Sequence, residues 1–167
     1  MNGRSPAPEE DQPFFRFHPG AYNRSFEPSE AVCPACRRTA IWLYIDNFYS
    51  VAGSAVCARC IASGRAAEMF KGEFFDTRLE GAAPALRAEV LQRTPGFPVF
   101  NPFDWPVLDG APLAFIGYGD EPAVWNDAEA RAAINAAFEE EAVAPAPYAL
   151  VFKELDGPRY VAVVDLD

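Results

Sequence analysis

The chain has 167 residues and a mass of 18.3 kDa, enough for one domain or for two small units sharing a core. Fourteen basic against 24 acidic side chains give a net charge of −10 and a pI near 4.6, a balance that repels duplex nucleic acid and anionic membrane surfaces and suits a basic protein partner. No apolar run approaches the ~20 residues of a membrane span, and the opening MNGRSPAPEEDQP has no apolar core of a secretory signal, so a cytoplasmic protein of bacterial type is expected.

Residues 1–13 are polar, acidic and proline-containing and read as a disordered tail. From Phe14 the sequence turns aromatic, and at Cys33 the first of two cysteine pairs begins. The pairs Cys33-Pro-Ala-Cys36 and Cys57-Ala-Arg-Cys60 are separated by 20 residues, giving C-x2-C-x20-C-x2-C. Each C-x-x-C makes a tight knuckle with both sulfurs on one side, and two knuckles supply the corners of a tetrahedron around Zn²⁺. Two disulfides would need an oxidising compartment, and a redox C-x-x-C would occur once, after a strand of a βαβ unit. Zinc on Cys33, Cys36, Cys57 and Cys60, closed and structural, is the expected site.

Between the knuckles, residues 39–45 (TAIWLYI) are rich in β-branched and aromatic side chains and predict a strand. Asp46-Asn47 is a turn pair, residues 48–51 return toward the second knuckle, and Gly53 permits a bend. Ser63 offers an N-cap for a short helix to Phe70, closed by Gly72. A second helix is predicted over 83–93, with Leu86, Val90 and Leu91 on one face and Pro84 in its first turn. The following FPVFNPFDWP loop cannot be a regular central strand. Residues 113–118 predict a strand, and Asn126 with Glu129 forms a capping-box pattern for a helix to about Glu141. Residues 148–152 and 160–164 flank Asp156-Gly157 as a hairpin, and 160–164, apolar on both faces, reads as a central strand.

The expected fold class is α+β: an N-terminal four-cysteine zinc ribbon joined to a small, mostly antiparallel sheet with two or three helices. The expected division is 1–13 tail, 14–75 zinc-ribbon region, and 76–167 α+β region sharing a core with it.

Apart from the cysteines, chemistry-bearing motifs are sparse. His18 is the single histidine, set between Phe17 and Pro19, and reads as a packed core residue. No nucleophile motif accompanies it, and Gly117-Tyr-Gly119 lacks the third glycine of a dinucleotide fingerprint. The chain is therefore expected not to be an enzyme, with a catalytic or redox protein as the alternative. A second alternative is nucleic-acid binding through Trp42, Tyr44 or Phe48. It is disfavoured because the five bases and two acids between Cys33 and Lys71 leave a small positive balance, which four thiolates on one Zn²⁺ reduce further.

Two surface features point toward a protein partner. Glu139, Glu140 and Glu141 stand at the C-terminal end of a predicted helix, where the macrodipole disfavours negative charge. Phe97, Phe100, Phe103 and Trp105 concentrate in the FPVFNPFDWP loop and supply candidate interface anchors.

Taken together, the run Phe15-Arg-Phe-His-Pro19, both knuckles, Asn47-Phe-Tyr-Ser50, the segment 57–74, Arg93-Thr-Pro-Gly-Phe97, Trp105 and Ala114-Phe-Ile-Gly-Tyr118 resemble the CbrC family of bacterial proteins. That resemblance implies tolerance to a DNase-type colicin, in a family for which no enzymatic activity is established. Some relatives of that family carry a further C-x-x-C where this chain has Lys153-Glu-Leu-Asp156. On this reading the chain is a zinc-bearing immunity protein that docks an acidic, aromatic surface onto a basic nuclease toxin.

Overall fold

The structure, a computed structural model, describes residues 9–52, 55–141 and 144–166. The fold is α+β, with a four-cysteine cluster toward the N-terminus, small antiparallel sheets and helices. It divides into two compact units. The cysteine unit comprises residues up to Phe15, Ala21–Phe75 and Leu91–Phe97; the sheet unit comprises Arg16–Gly20, Asp76–Val90 and the chain from Pro98 onward.

The cysteine unit has little regular structure. Strand β1 (Phe26–Pro28) pairs antiparallel with β2 (Trp42–Tyr44), Phe26 opposite Tyr44. Two short helices follow the second knuckle, α1 (Ala58–Ala62) and α2 (Arg65–Phe70). The strand expected over 39–45 is thus confined to 42–44, and its partner is not the returning segment 48–51. Tyr49 instead exchanges both backbone hydrogen bonds with Glu73, at 2.9 and 3.0 Å. Ring packing accounts for this choice: Phe26 lies 5.8 Å from Tyr44, and Phe48 stacks at 4.5 Å on Phe74. Gly53 lies outside the described residues.

Gly96 is required by a close approach in this unit. A Cβ there would stand 2.6 Å from both the Phe74 carbonyl and the Tyr44 hydroxyl, and the Gly96 N–H donates to that hydroxyl at 3.1 Å. Of the expected tail, residues 1–8 lie outside the described residues, and Glu9–Asp11 form a single 3-10 turn.

In the sheet unit, β5 (Ala114–Gly119), β6 (Ala146–Lys153) and β7 (Tyr160–Val164) form an antiparallel sheet in the order β5-β6-β7. The central strand is β6, not 160–164. Apolar composition on both faces predicts a central strand, but among the described residues β7 pairs on one side alone and its residues are half-buried. By contrast, Ala149, Leu150, Val151 and Phe152 of β6 are fully buried. Their alternation sends Ala149 and Val151 toward α4 (Pro122–Trp125) and α5 (Ala128–Phe138), where they meet Val124, Ala130 and Ile134. Phe152 points to the opposite face, against Phe115 at 5.6 Å and Trp105 at 5.2 Å.

Helix α3 (Pro84–Arg93) forms as its sequence predicts, with proline in the first turn. Helix α5 is capped by Asp127, one residue after the expected Asn126; its carboxylate accepts from the Glu129 and Ala130 N–H groups, both at 2.9 Å. It ends at Phe138 rather than near Glu141, because Glu139 turns into the left-handed region at φ 56°. A two-residue hairpin, β3 (Val107–Leu108) and β4 (Ala111–Pro112), precedes β5. Asp109 and Gly110, at φ 53° and 81°, make the turn in the conformation that matches strand twist.

Candidate metal centre

The first knuckle is a backbone device. The Cys33 N–H donates to the Arg38 carbonyl at 2.9 Å and the Arg37 N–H to the Cys33 carbonyl at 2.8 Å, with Arg37 in the left-handed region closing the loop. The second knuckle opens directly into a helix: the Cys60 and Ile61 N–H groups both donate to the Cys57 carbonyl, at 3.0 and 3.2 Å. Cys57 is also registered against Leu43 of β2. The Arg65 Nε, donating to the Ala35 carbonyl at 2.8 Å, ties the start of α2 to the first knuckle.

These elements bring all four sulfurs within 4.8 Å of one another. Cys33 Sγ lies 3.8 Å from Cys60 Sγ, and Cys36 Sγ 3.8 Å from Cys57 Sγ. Those separations are far beyond an S–S bond of about 2.05 Å. They equal the edge, about 3.8 Å, of a tetrahedron built on metal–sulfur bonds of about 2.3 Å. Cys33, Cys57 and Cys60 are buried and Cys36 is half-buried. The donor set therefore fits a thiophilic divalent metal.

The electrostatics favour the same conclusion. The Cys57 thiol is pushed up by its hydrogen bond with Cys33 and by burial, and the Cys60 thiol is pushed up by burial and by its neighbours' charge. Cys33 is pulled down, because Cys57 donates to its sulfur. Burial also raises Cys36, but hydrogen bonds from the Arg38 backbone and the Arg59 side chain outweigh it and the net direction is downward. Hydrogen bonding thus favours the thiolate at Cys33 and Cys36, while burial and neighbouring charge disfavour it at Cys57 and Cys60. A cation held by the four sulfurs would offset that mutual repulsion.

Arg59, between the two cysteines of the second knuckle, had no part in the sequence-based site. Its Nη2 lies 3.8 Å from Cys36 Sγ and 3.5 Å from the Thr39 carbonyl, while Nη1 pairs with Asp11. The two charged side chains are 14% and 11% exposed. A cation placed next to the least-buried sulfur offsets the negative charge of a tetrathiolate site. Its position inside C-A-R-C was the available signal; nothing in the sequence paired it with Asp11, 48 residues earlier.

The expected partner-binding residues are not gathered in one place. Glu139, Glu140 and Glu141 are exposed just beyond α5. Phe97 and Trp105 are core residues, 4% and 2% exposed; the Trp105 Nε1 donates to the Leu113 carbonyl at 2.9 Å. Phe103 is half-buried against Phe152. Phe100, at 67% exposed, keeps its ring at the surface, 5.8 Å from that of Tyr148. Its loop is held by Asp165, whose carboxylate accepts from the Phe100 and Asn101 N–H groups at 2.8 and 2.9 Å. Trp42, Tyr44 and Phe48 belong to the ring cluster of the cysteine unit. His18 is fully buried, edge-on to Phe115 at 5.3 Å. Among the described residues no helix is long and apolar enough to cross a membrane.

Residues 12–147 match the model of the Uncharacterised protein family (UPF0167), and the chain belongs to that family. A UPF0167 protein of Pseudomonas aeruginosa is 31% identical over 112 residues, covering 63% of this chain and 63% of that protein. UPF0167 proteins of Mycobacterium bovis and Mycobacterium tuberculosis are each 32% identical over 111 residues, covering 63% of this chain and 59% of theirs. The chain thus spans about three fifths of the length of these curated relatives. No solved structure matches it. These matches correct the resemblance drawn from the motifs: the chain falls in UPF0167 rather than the CbrC family, and the colicin-tolerance association goes with the family it does not join.

Proposed function

We propose that this UPF0167 protein is a non-catalytic zinc protein, in which one Zn²⁺ held by Cys33, Cys36, Cys57 and Cys60 fixes a scaffold that receives a basic protein partner. The reading rests on the sulfur cluster: four thiol groups within 4.8 Å, mostly buried, with two separations of 3.8 Å that match the edge of a zinc–thiolate tetrahedron. Zinc prefers four thiolates, and a full set leaves no coordination position for water or substrate, which is the arrangement of a structural site. When bound, the metal supplies cross-linking of two chain segments; the protein supplies burial, the Arg59 cation and the knuckle hydrogen bonds.

The partner half of the proposal is supported by charge and exposure. A net charge of −10 steers basic surfaces toward the protein and raises association rates at low salt. Phe100 beside Tyr148 offers an exposed aromatic pair of the kind that anchors interfaces. Glu139, Glu140 and Glu141 add exposed charge.

The test has two arms. Elemental analysis of the purified chain is expected to return one zinc and four metal-protected thiols per chain. The zinc-loaded protein, immobilised and exposed to extract of the cells that encode it, is expected to retain a stoichiometric protein of high pI that high salt releases. Retention of nucleic acid, or of no basic protein at low salt, overturns the partner half; absence of zinc overturns the metal half.

A further inference from the structure

The sheet unit contains a cleft of about 340 Å³, within the size range of ligand sites. Leu86, Leu108, Leu113 and Leu155 make its apolar lining. The Asp109-Gly110 turn and the 154–157 turn between β6 and β7 both contribute to it, so its rim is built by two hairpins.

The charged groups are unevenly committed. Arg16 is held by Glu89 through two parallel bonds, Nε to Oε1 at 2.7 Å and Nη2 to Oε2 at 2.6 Å. Arg159 binds Glu154 at 2.8 Å and reaches Asp109 at 2.6 Å, so one guanidinium serves two carboxylates. Asp156 is exposed, has no ion pair within 4.0 Å among the described residues, and feels the Arg16 guanidinium of the same lining only at longer range. The lining therefore carries three carboxylates against one guanidinium, and Glu89 and Arg159 together leave that excess of negative charge unchanged. An apolar slot with negative charge at its rim selects an aliphatic stem that ends in a cation.

We propose that this cleft takes an arginine side chain of the basic partner, its methylene stem on the leucines and its guanidinium on the Asp156 and Asp109 carboxylates. The inference rests on the basic-partner reading above for the source of the arginine. The planar guanidinium can bind one carboxylate through two parallel bonds and touch a second, which the compact ammonium of lysine does less well.

The experiment titrates the isotope-labelled, zinc-loaded full chain with the blocked tripeptide acetyl-Gly-Arg-Gly-amide and with its citrulline counterpart, equal in shape but uncharged. Saturable amide shifts are expected at Asp109, Gly110 and residues 155–157, with about tenfold weaker binding of the citrulline peptide. Asp156→Asn is expected to remove about the same factor while leaving the rest of the spectrum in place, and Leu155→Ser to weaken both peptides. Equal binding of the two peptides, shifts confined to other surfaces, or no shift at all overturns the assignment. Failure of the two readings is distinguishable. A basic partner captured equally well by Asp156→Asn refutes the cleft and leaves the partner standing. Arginine peptide in the cleft with no basic protein captured does the reverse.

Discussion

Among its described residues the cysteine unit has one ladder of three residue pairs, β1 with β2, and its backbone otherwise turns through knuckles, bridges and two helices of one or two turns. The sheet unit buries four consecutive residues of β6 completely, between helices α4 and α5 on one face and Trp105, Phe103 and Phe115 on the other. The second arrangement is a layered core whose stability comes from apolar area and interlocking rings. The first has ring stacking, but its two knuckles have no continuous backbone ladder holding them together. Beyond single contacts such as the Arg65 bond to the Ala35 carbonyl, what joins them is the sulfur cluster, so this unit should depend on its metal and the sheet unit should not.

The largest expected effect follows from that contrast. Structural zinc contributes an apparent ~10–16 kcal/mol in small modules. Chelation, or Cys57→Ser, is expected to erase the dispersed amide signals of residues 21–75 while β5, β6 and β7 stay protected from hydrogen exchange. Simultaneous loss of both sets would show that the two units form one cooperative body. Zinc loading is also expected to weaken as pH falls, since protons compete for every thiolate.

The converse perturbation is Phe152→Ala. It removes a fully buried ring from the central strand and touches no cysteine. A loss of about 3–5 kcal/mol is expected from urea unfolding of the sheet unit, from lost transfer energy plus the cavity. Zinc affinity, measured by chelator competition, is expected to change little. A large fall in zinc affinity in this variant would contradict the division of labour.

Arg59→Gln tests the cysteine unit more gently. Removing the cation beside Cys36 is expected to lower zinc affinity by about 10–100-fold, with Asp11→Asn giving a smaller loss because the guanidinium remains. Cys36, the half-buried sulfur, should become the fastest to react with a thiol reagent in either variant. Unchanged affinity in both would reduce the Asp11–Arg59 pair to a packing contact.

The two units also differ in how far their sequences disclose them. Cysteine spacing is a local, chemically specific signal, and the four cysteines it picks out are the ones whose sulfurs the fold gathers. The apolar runs 148–152 and 160–164 with the Asp156-Gly157 turn between them located the hairpin of the sheet unit. Pairing partners were less legible. Residues 42–44 carry the composition of a strand, but the choice of 26–28 over 48–51 depends on rings at Phe26, Phe48 and Phe74 that meet only in three dimensions. The apolar composition of β7 does not reveal that one edge lacks a neighbour. Phe97 and Trp105 illustrate the same limit: an aromatic, proline-rich loop offers interface anchors by composition, and burial makes these two core residues instead. Asp109-Gly110 was a missed local signal, since the dipeptide favours a two-residue hairpin turn on its own.

The smallest expected effect concerns the cap of α5. The Asp127 carboxylate is held below the usual carboxylate range, first by the Ala130 N–H, with the Tyr160 hydroxyl and the Glu129 N–H adding to it. A depressed folded-state pKa means that the stabilisation is present above the ordinary aspartate range and is lost as pH falls through the depressed value. Asp127→Ala is therefore expected to cost about 1 kcal/mol at neutral pH, and the gap to the parent protein should close in strong acid. Asp127→Asn retains an acceptor for the two N–H groups and should lose less, while abolishing that part of the pH dependence. Because α5 covers the core face of the sheet, both changes should appear in the unfolding of the sheet unit and leave zinc binding untouched. Equal costs for Asn and Ala at neutral pH would mean that the charge, not the cap geometry, holds the helix start.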